Sequence, residues 1–166
     1  ETEAALALIG QIPEGEIDPA ERASLRCNTL VVLANYLTES GEAKRSLPMA
    51  EEATSICKDA LHALQDQPTN QDLDELQSSY ATALFGSANA LTWLGKRAES
   101  LPLLKEAREL FGVLRSKHPK QATYLRSAAA CDITLATIAL DLNQAAEGKG
   151  HLLDALELLN QVSEDD

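Results

Sequence analysis

The feature that most constrains this chain is an internal repeat. Residues 34–57 read ANYLTESGEAKRSLPMAEEATSIC and residues 88–111 read ANALTWLGKRAESLPLLKEARELF; ten of the 24 positions are identical, without a gap, at a period of 54. A weaker third copy, ATIALDLNQAAEGKGHLLDALELL, covers residues 136–159 at a period of 48 from the second. Repeats of this length are supersecondary units that cannot bury an apolar face alone and gain stability by stacking. Small residues recur at Ala34, Ala88 and Ala136, at Ser46, Ser100 and Gly148, and at Ala53, Ala107 and Ala155. Small side chains at fixed points let two helices approach closely. Leu37, Leu91, Leu104, Leu110 and Leu158 fill the space beside them. Gly41, Gly95 and Asn143 stand at one place between the two halves of each copy, and Gly and Asn both tolerate a left-handed helix cap. Pro48 and Pro102 recur as well. Proline is costly inside a helix, so this position marks either a late helix start or a shared kink.

Breakers divide the chain into helices. A short helix is predicted over Ala4–Ile12, ended by Pro13 and Gly15. Asp18-Pro19 reads as a cap followed by proline at the first helical position. Long helices follow over about 19–39, 43–65, 70–94, 97–117, 120–142 and 145–162, with Gln67-Pro68-Thr69-Asn70 as a turn. Hydrophobic residues make up 45% of the chain and aromatics only 4%, so its apolar content is mostly Ala and Leu, which favour helices over strands. No stretch alternates with period two for long enough to be a strand. The expected fold is therefore all-α: a single domain over residues 1–166, with an N-terminal helix and turn (1–17) and antiparallel pairs over 18–66, 70–117 and 119–162. That makes seven helices.

Charge and chemistry narrow the function. The net charge of −12 repels phosphate backbones, so no nucleic acid is expected as a partner. No run of about 18 apolar residues exists, so no membrane span is expected. The chain opens on Glu1 and shows no signal-peptide pattern, which reads as a processed form or an excised domain. Eight basic residues lie between Lys96 and Arg126 against three acids. They are either ordinary solvated helix faces or a basic patch for an acidic partner segment. Cys27, Cys57 and Cys131 are far apart, odd in number and set among apolar residues, which reads as buried free thiols in a reducing, cytoplasmic setting. His62, His118 and His151 fall in different copies and form no ligand motif. No glycine-rich phosphate loop, HExxH or nucleophile elbow is present. The expectation is a protein that is not an enzyme, with no cofactor and no metal.

The repeat resembles the tetratricopeptide family. That family carries a small residue in its first helix, a turn Gly, two small positions in its second helix and a later Pro; here these are Ala88, Gly95, Ser100, Ala107 and, at a longer distance, Pro119. The resemblance covers about residues 19–162 and departs in length, because the family unit is 34 residues. A helix of 22 residues spans about 33 Å, so this is a long-helix variant. The resemblance implies an α-α superhelix that binds a protein or peptide on the concave face of its first helices. Carried over, that face holds Asn28, Asn35 and Thr38, then Phe85, Asn89, Thr92 and Trp93, then Arg126, Thr134 and Thr137. Asn35 and Asn89 occupy equivalent places, and an amide both donates to and accepts from an extended backbone. The alternative for these amides is to bridge neighbouring helices. The family's basic clamp for a terminal carboxylate is not expected, since Val31, Val32, Thr82, Gly86 and Ala130 stand at its places. A second reading comes from the last helix. Leu152, Leu153, Ala155, Leu156, Leu158, Leu159 and Val162 cover a broad apolar arc, where a terminal repeat helix is ordinarily polar outside. That implies an oligomerisation domain, with a homodimer through this helix, or a piece of a larger chain; the alternative is that some of these leucines are simply exposed. A third reading is a ligand-sensing arm of a larger regulatory protein.

Overall fold

The computed structural model describes residues 17–64 and 70–164, with Ala4, Ala7 and Gln11 as isolated positions before them. Among the described residues there are six helices and no strand. They are α1 (Pro19–Glu39), α2 (Ala43–Ala63), α3 (Asn70–Trp93), α4 (Arg97–Lys117), α5 (Ala122–Asp141) and α6 (Ala145–Glu164). The expected seventh, over Ala4–Ile12, lies outside the described residues apart from those isolated positions, as does most of the predicted turn at Gln67–Asn70. No helix among the described residues is long and apolar enough to cross a membrane.

The turns obey the repeat. Gly41, Gly95 and Asn143 have φ of 81°, 77° and 60°. Each sits in the same hydrogen-bonded cap. Gly41 N donates to Thr38 O (3.0 Å) and Glu42 N to Leu37 O (2.7 Å). Gly95 N donates to Thr92 O (3.0 Å) and Lys96 N to Leu91 O (2.9 Å). Asn143 N donates to Leu140 O (3.0 Å) and Gln144 N to Ala139 O (2.8 Å). This pairing of a short and a long backbone bond satisfies the last carbonyls of the first helix and needs a left-handed residue at its centre. A late start does not explain the two prolines: α2 begins at Ala43 and α4 at Arg97, so Pro48 and Pro102 both lie within the helices, on exposed faces.

The small residues of the repeat form a second shared device. In pair one, Thr38 shares its proton between the Ala34 carbonyl (3.0 Å) and the Ser46 hydroxyl (2.7 Å), while Ser46 donates to that same carbonyl (2.7 Å). In pair two, Thr92 donates to Ala88 O (2.8 Å) and its hydroxyl lies 2.9 Å from that of Ser100. Pair three changes both partners together. Leu140 replaces the threonine and Gly148 the serine, and a Cβ at Gly148 would meet Leu140 Cγ at 3.0 Å and Ala136 O at 3.2 Å. A bulky side chain has taken the space that the hydroxyl pair fills in the other two hairpins.

Hairpins then stack. α2 packs on α3 and α4 on α5, and α3 also lies along α1; α5 touches α3 over only a short stretch. One core cluster joins Cys27, Leu30, Val31, Ala53, Cys57, Leu76 and Ala83. The largest, around Leu84, Phe111, Leu114, Leu125 and Leu158, ties α3 to α4, α5 and α6. The Lys96–Arg126 basic stretch stitches these elements together. Arg97 pairs with Asp141, Lys117 with Asp74, and Arg108 with both Asp132 and Asp154. Four of its eight cations therefore meet acids at close range once Lys96–Glu99 is added, which favours solvated structural faces over a basic docking patch.

Candidate functional site

The repeat register separates each first helix into faces. On α3, Ser79, Ala83, Gly86 and Ala90 are buried, and Gly86 looks toward the preceding pair. A Cβ there would lie 3.6 Å from Asn35 Oδ1, 3.8 Å from Ala50 Cβ and 4.0 Å from Val31 Cγ1. Ala81, Leu84 and Ala88 are buried toward α4 and α5. Between these two packed sides Ser78, Thr82, Phe85 and Asn89 form a stripe at helical spacing, none of it fully buried. The equivalent positions on α1 are Ser24, Asn28, Val31 and Asn35, of which Ser24 and Val31 are buried; on α5 they are Arg126, Ala130, Ile133 and Thr137, all exposed or half-buried.

Six of the ten residues carried over from the resemblance fall on or beside this stripe: Asn28, Asn35, Phe85, Asn89, Arg126 and Thr137. Asn35 is half-buried at the α1–α3 seam, and Phe85 is partly sunk into the core. The other four are placed differently. Thr38 is buried and, with Thr92, belongs to the hairpin locks described above, so neither offers its hydroxyl to a partner. Thr134 is half-buried at the position equivalent to Gly86 and donates to Ala130 O (3.0 Å). Trp93 is exposed, but it lies beside the α1–α2 turn, where Gly41–Arg45 share a pocket with it. Thr137, although open, donates to Ile133 O (3.0 Å).

A cavity of about 580 Å³ lies at one end of the α3 stripe, lined by Asp74, Glu75, Ser78, His118, Gln121, Thr123 and Tyr124. It forms where α5 stands off α3. Asp74, nearly buried, accepts from Lys117 Nζ (2.6 Å) and contacts His118 Nε2 (2.8 Å). Burial pushes this carboxyl up, but the bonds to Lys117 and His118 outweigh it and hold Asp74 below the usual carboxylate range. Burial, with the nearby Asp74 and Glu75 carboxylates, raises the Tyr124 phenol.

Sequence reasoning missed a second cluster. Asp132 on α5 is fully buried, and its Oδ1 receives Arg108 Nε (2.7 Å) and lies 2.9 Å from His151 Nδ1. Arg108 also reaches Asp154 (2.9 Å). The visible signal was a lone acid in the apolar run AAACDITLATIAL. Asp132, His151 and Asp154 bring three ligand-type atoms within 4.8 Å of one another. The Arg108 guanidinium already bridges the two carboxylates, so a cation entering there would meet a fixed positive charge. The cluster is best read as a fastener between α4, α5 and α6, even though Asp132 Oδ2 is buried without a partner.

The thiol environments of Cys57 and Cys131 disfavour the thiolate. All three cysteines are buried and unbridged. The hydrogen bond with Cys27, then burial, raises the Cys57 thiol far above its ordinary value; burial pushes Cys131 up to about 12. Thiolate, the reactive form, is therefore scarce at neutral pH.

No protein-family model, curated protein or solved structure matches this chain.

Proposed function

We propose that the chain is a tetratricopeptide-like, non-catalytic module that binds an extended protein segment along a concave face built from its first helices. One observation carries the reading: packing leaves part of the same face of α1, α3 and α5 accessible, and equivalent heights on it carry Asn35, Asn89 and Thr137, none of them buried. Paired amides on adjacent helices suit the alternating donors and acceptors of a peptide backbone. Phe85 and Ile133 add apolar surface between them, and the cavity between α3 and α5 is large enough to take one side chain of the segment. Because the cavity wall carries Glu75 beside an Asp74 already paired with Lys117 and His118, the residue it favours is basic or a hydrogen-bond donor that reaches Glu75.

The test is selection of binding peptides from a displayed random library, followed by affinity measurement against Asn35→Ala/Asn89→Ala. The expected result is recovery of peptides whose affinity for the double variant falls about tenfold, the equivalent of 1.4 kcal/mol, with an unchanged thermal midpoint. Peptides that bind the double variant as well as the parent would overturn the groove.

A further inference from the structure

Both ends of the stack present an interface that the interior has already used. On α3, the positions that pack against the preceding pair are Ser79, Ala83, Gly86 and Ala90, all buried. Their equivalents on α1 are Leu25, Thr29, Val32 and Tyr36, and the three large apolar members are 41%, 61% and 65% exposed. At the other end, Ala50 and Cys57 on α2, like Leu104 and Phe111 on α4, are buried where the next first helix covers them. Their equivalents on α6 are Leu152 and Leu159, 45% and 40% exposed, and between them Leu156 is 55% exposed. Ala155, Leu158 and Val162 turn inward, so the broad apolar arc of α6 divides into a buried side and an open one. A first helix lacks its preceding neighbour and a second helix lacks its following one, among the described residues.

We infer that copies of this chain associate head to tail, the Leu152–Leu156–Leu159 stripe of α6 in one copy packing antiparallel on the Leu25–Val32–Tyr36 stripe of α1 in the next. The occupant follows from continuity with the internal contacts. Every interface between pairs joins a second helix to the first helix after it, so the surface on α6 is shaped for a first helix, and among the described residues the one first helix with an uncovered stripe is α1. Carrying the α2–α3 and α4–α5 registers across sets Leu159 near Leu25 and Leu152 near Val32, which places apolar against apolar along both stripes. A contact of this kind is heterologous. It uses two different surfaces and leaves one of each free at the ends, so copies keep adding until the rotation between them closes a ring or, where it does not close, without limit. It is independent of the peptide-binding face, which lies on another side of the first helices.

Complementation of two single variants tests this. Val32→Asp blocks the α1 surface and Leu156→Asp blocks the α6 surface; both sites are exposed, so circular dichroism should show each variant folded. In sedimentation velocity the parent should gain mass steadily from micromolar to millimolar concentration, while each variant alone stays monomeric. An equimolar mixture should form a one-to-one dimer that grows no further, because it holds one intact α6 and one intact α1. A parent that is monomeric throughout would overturn the inference. So would a Val32→Asp variant that still dimerises, since that means α6 pairs with α6.

Discussion

Adding one methyl group to Gly148 should cost stability, although adding it to Gly150, two residues along the same helix, should increase it. Gly150 has nothing within 4 Å of an added Cβ. Alanine there gains about 0.5–1 kcal/mol from helix propensity and reduced unfolded-state freedom. Gly148 gains the same but forces its Cβ to 3.0 Å from Leu140 Cγ and 3.2 Å from Ala136 O. Leu140 is half exposed and can swing away; the carbonyl belongs to the helix and cannot move without shifting the hairpin. Overpacking of this kind costs about 1–3 kcal/mol, so the net loss is on the order of 1 kcal/mol. In a domain this size that lowers the melting temperature by about 2–4 °C. Pairs one and two supply the remedy. Leu140→Thr with Gly148→Ser rebuilds the hydroxyl pair seen at Thr38–Ser46 and Thr92–Ser100. Urea denaturation of the parent, both singles and the double gives a coupling energy, expected to be favourable by about 1 kcal/mol. Equal stabilisation by Gly148→Ala and Gly150→Ala, or zero coupling, would refute the reasoning that one register governs all three hairpins.

Other consequences can be read in the same assays. Gly95→Ala should destabilise by about 1–2 kcal/mol, because a Cβ is unfavourable at its φ of 77°, whereas Asn143→Gly should gain a few tenths. Asp132→Ala should cost about 1–3 kcal/mol: it removes two charge-assisted bonds from a buried site, but Arg108 is partly exposed and regains water. Asp74 has a folded-state value below its unfolded one. Its contribution is therefore whole above the carboxylate range, about pH 4, and is lost as pH falls through the folded value. The stability gap between the parent and Asp74→Asn should be open at neutral pH and close in acid; a gap constant with pH would deny Asp74 its pairing. Native-state labelling by a thiol reagent should be slow for Cys57 and Cys131 and rise sharply in denaturant.

Much of the helix layout was legible because its punctuation is chemical. Gly41, Gly95 and Asn143 announce left-handed caps, and the recurrence of small residues announces close helix approach. What recurrence could not show is which side of a helix a shared residue faces. Thr38 and Thr92 recur as strictly as Asn35 and Asn89, and a sequence alignment ranks them alike. In the fold the threonines hold the hairpin together, while the asparagines stand on or near the open face. Asp132 was visible as a lone acid among apolar residues, but its partners Arg108 and His151 come from two other helices. Only tertiary packing brings these three side chains into contact. For the same reason the basic stretch left two readings open: its counter-charges Asp74, Asp132, Asp141 and Asp154 lie outside it in sequence.

The size of one stripe explains both where the stack closes and where it opens. On α3 the stripe facing the preceding pair is Ser79, Ala83, Gly86 and Ala90, and α3 lies along much of α1. On α5 the equivalent residues are Ser127, Cys131, Thr134 and Ile138, larger at three of the four heights, and α5 touches α3 only briefly. Bulk at this stripe therefore acts as a spacer, and the 580 Å³ cavity beside Asp74 and Tyr124 is lined by the starts of α3 and α5. On α1 the stripe is Leu25, Thr29, Val32 and Tyr36, the largest of the three. A junction made there would hold its helices further apart than either internal one, and leucines at 152, 156 and 159, rather than the alanine and cysteine of α2, are the size needed to fill it. If spacing is set this way, Cys131→Ala, two turns from the cavity-lining Tyr124, should draw α5 toward α3 and shrink the cavity. Peptides that place a side chain in it should then lose affinity, while those contacting Asn35 and Asn89 alone should not.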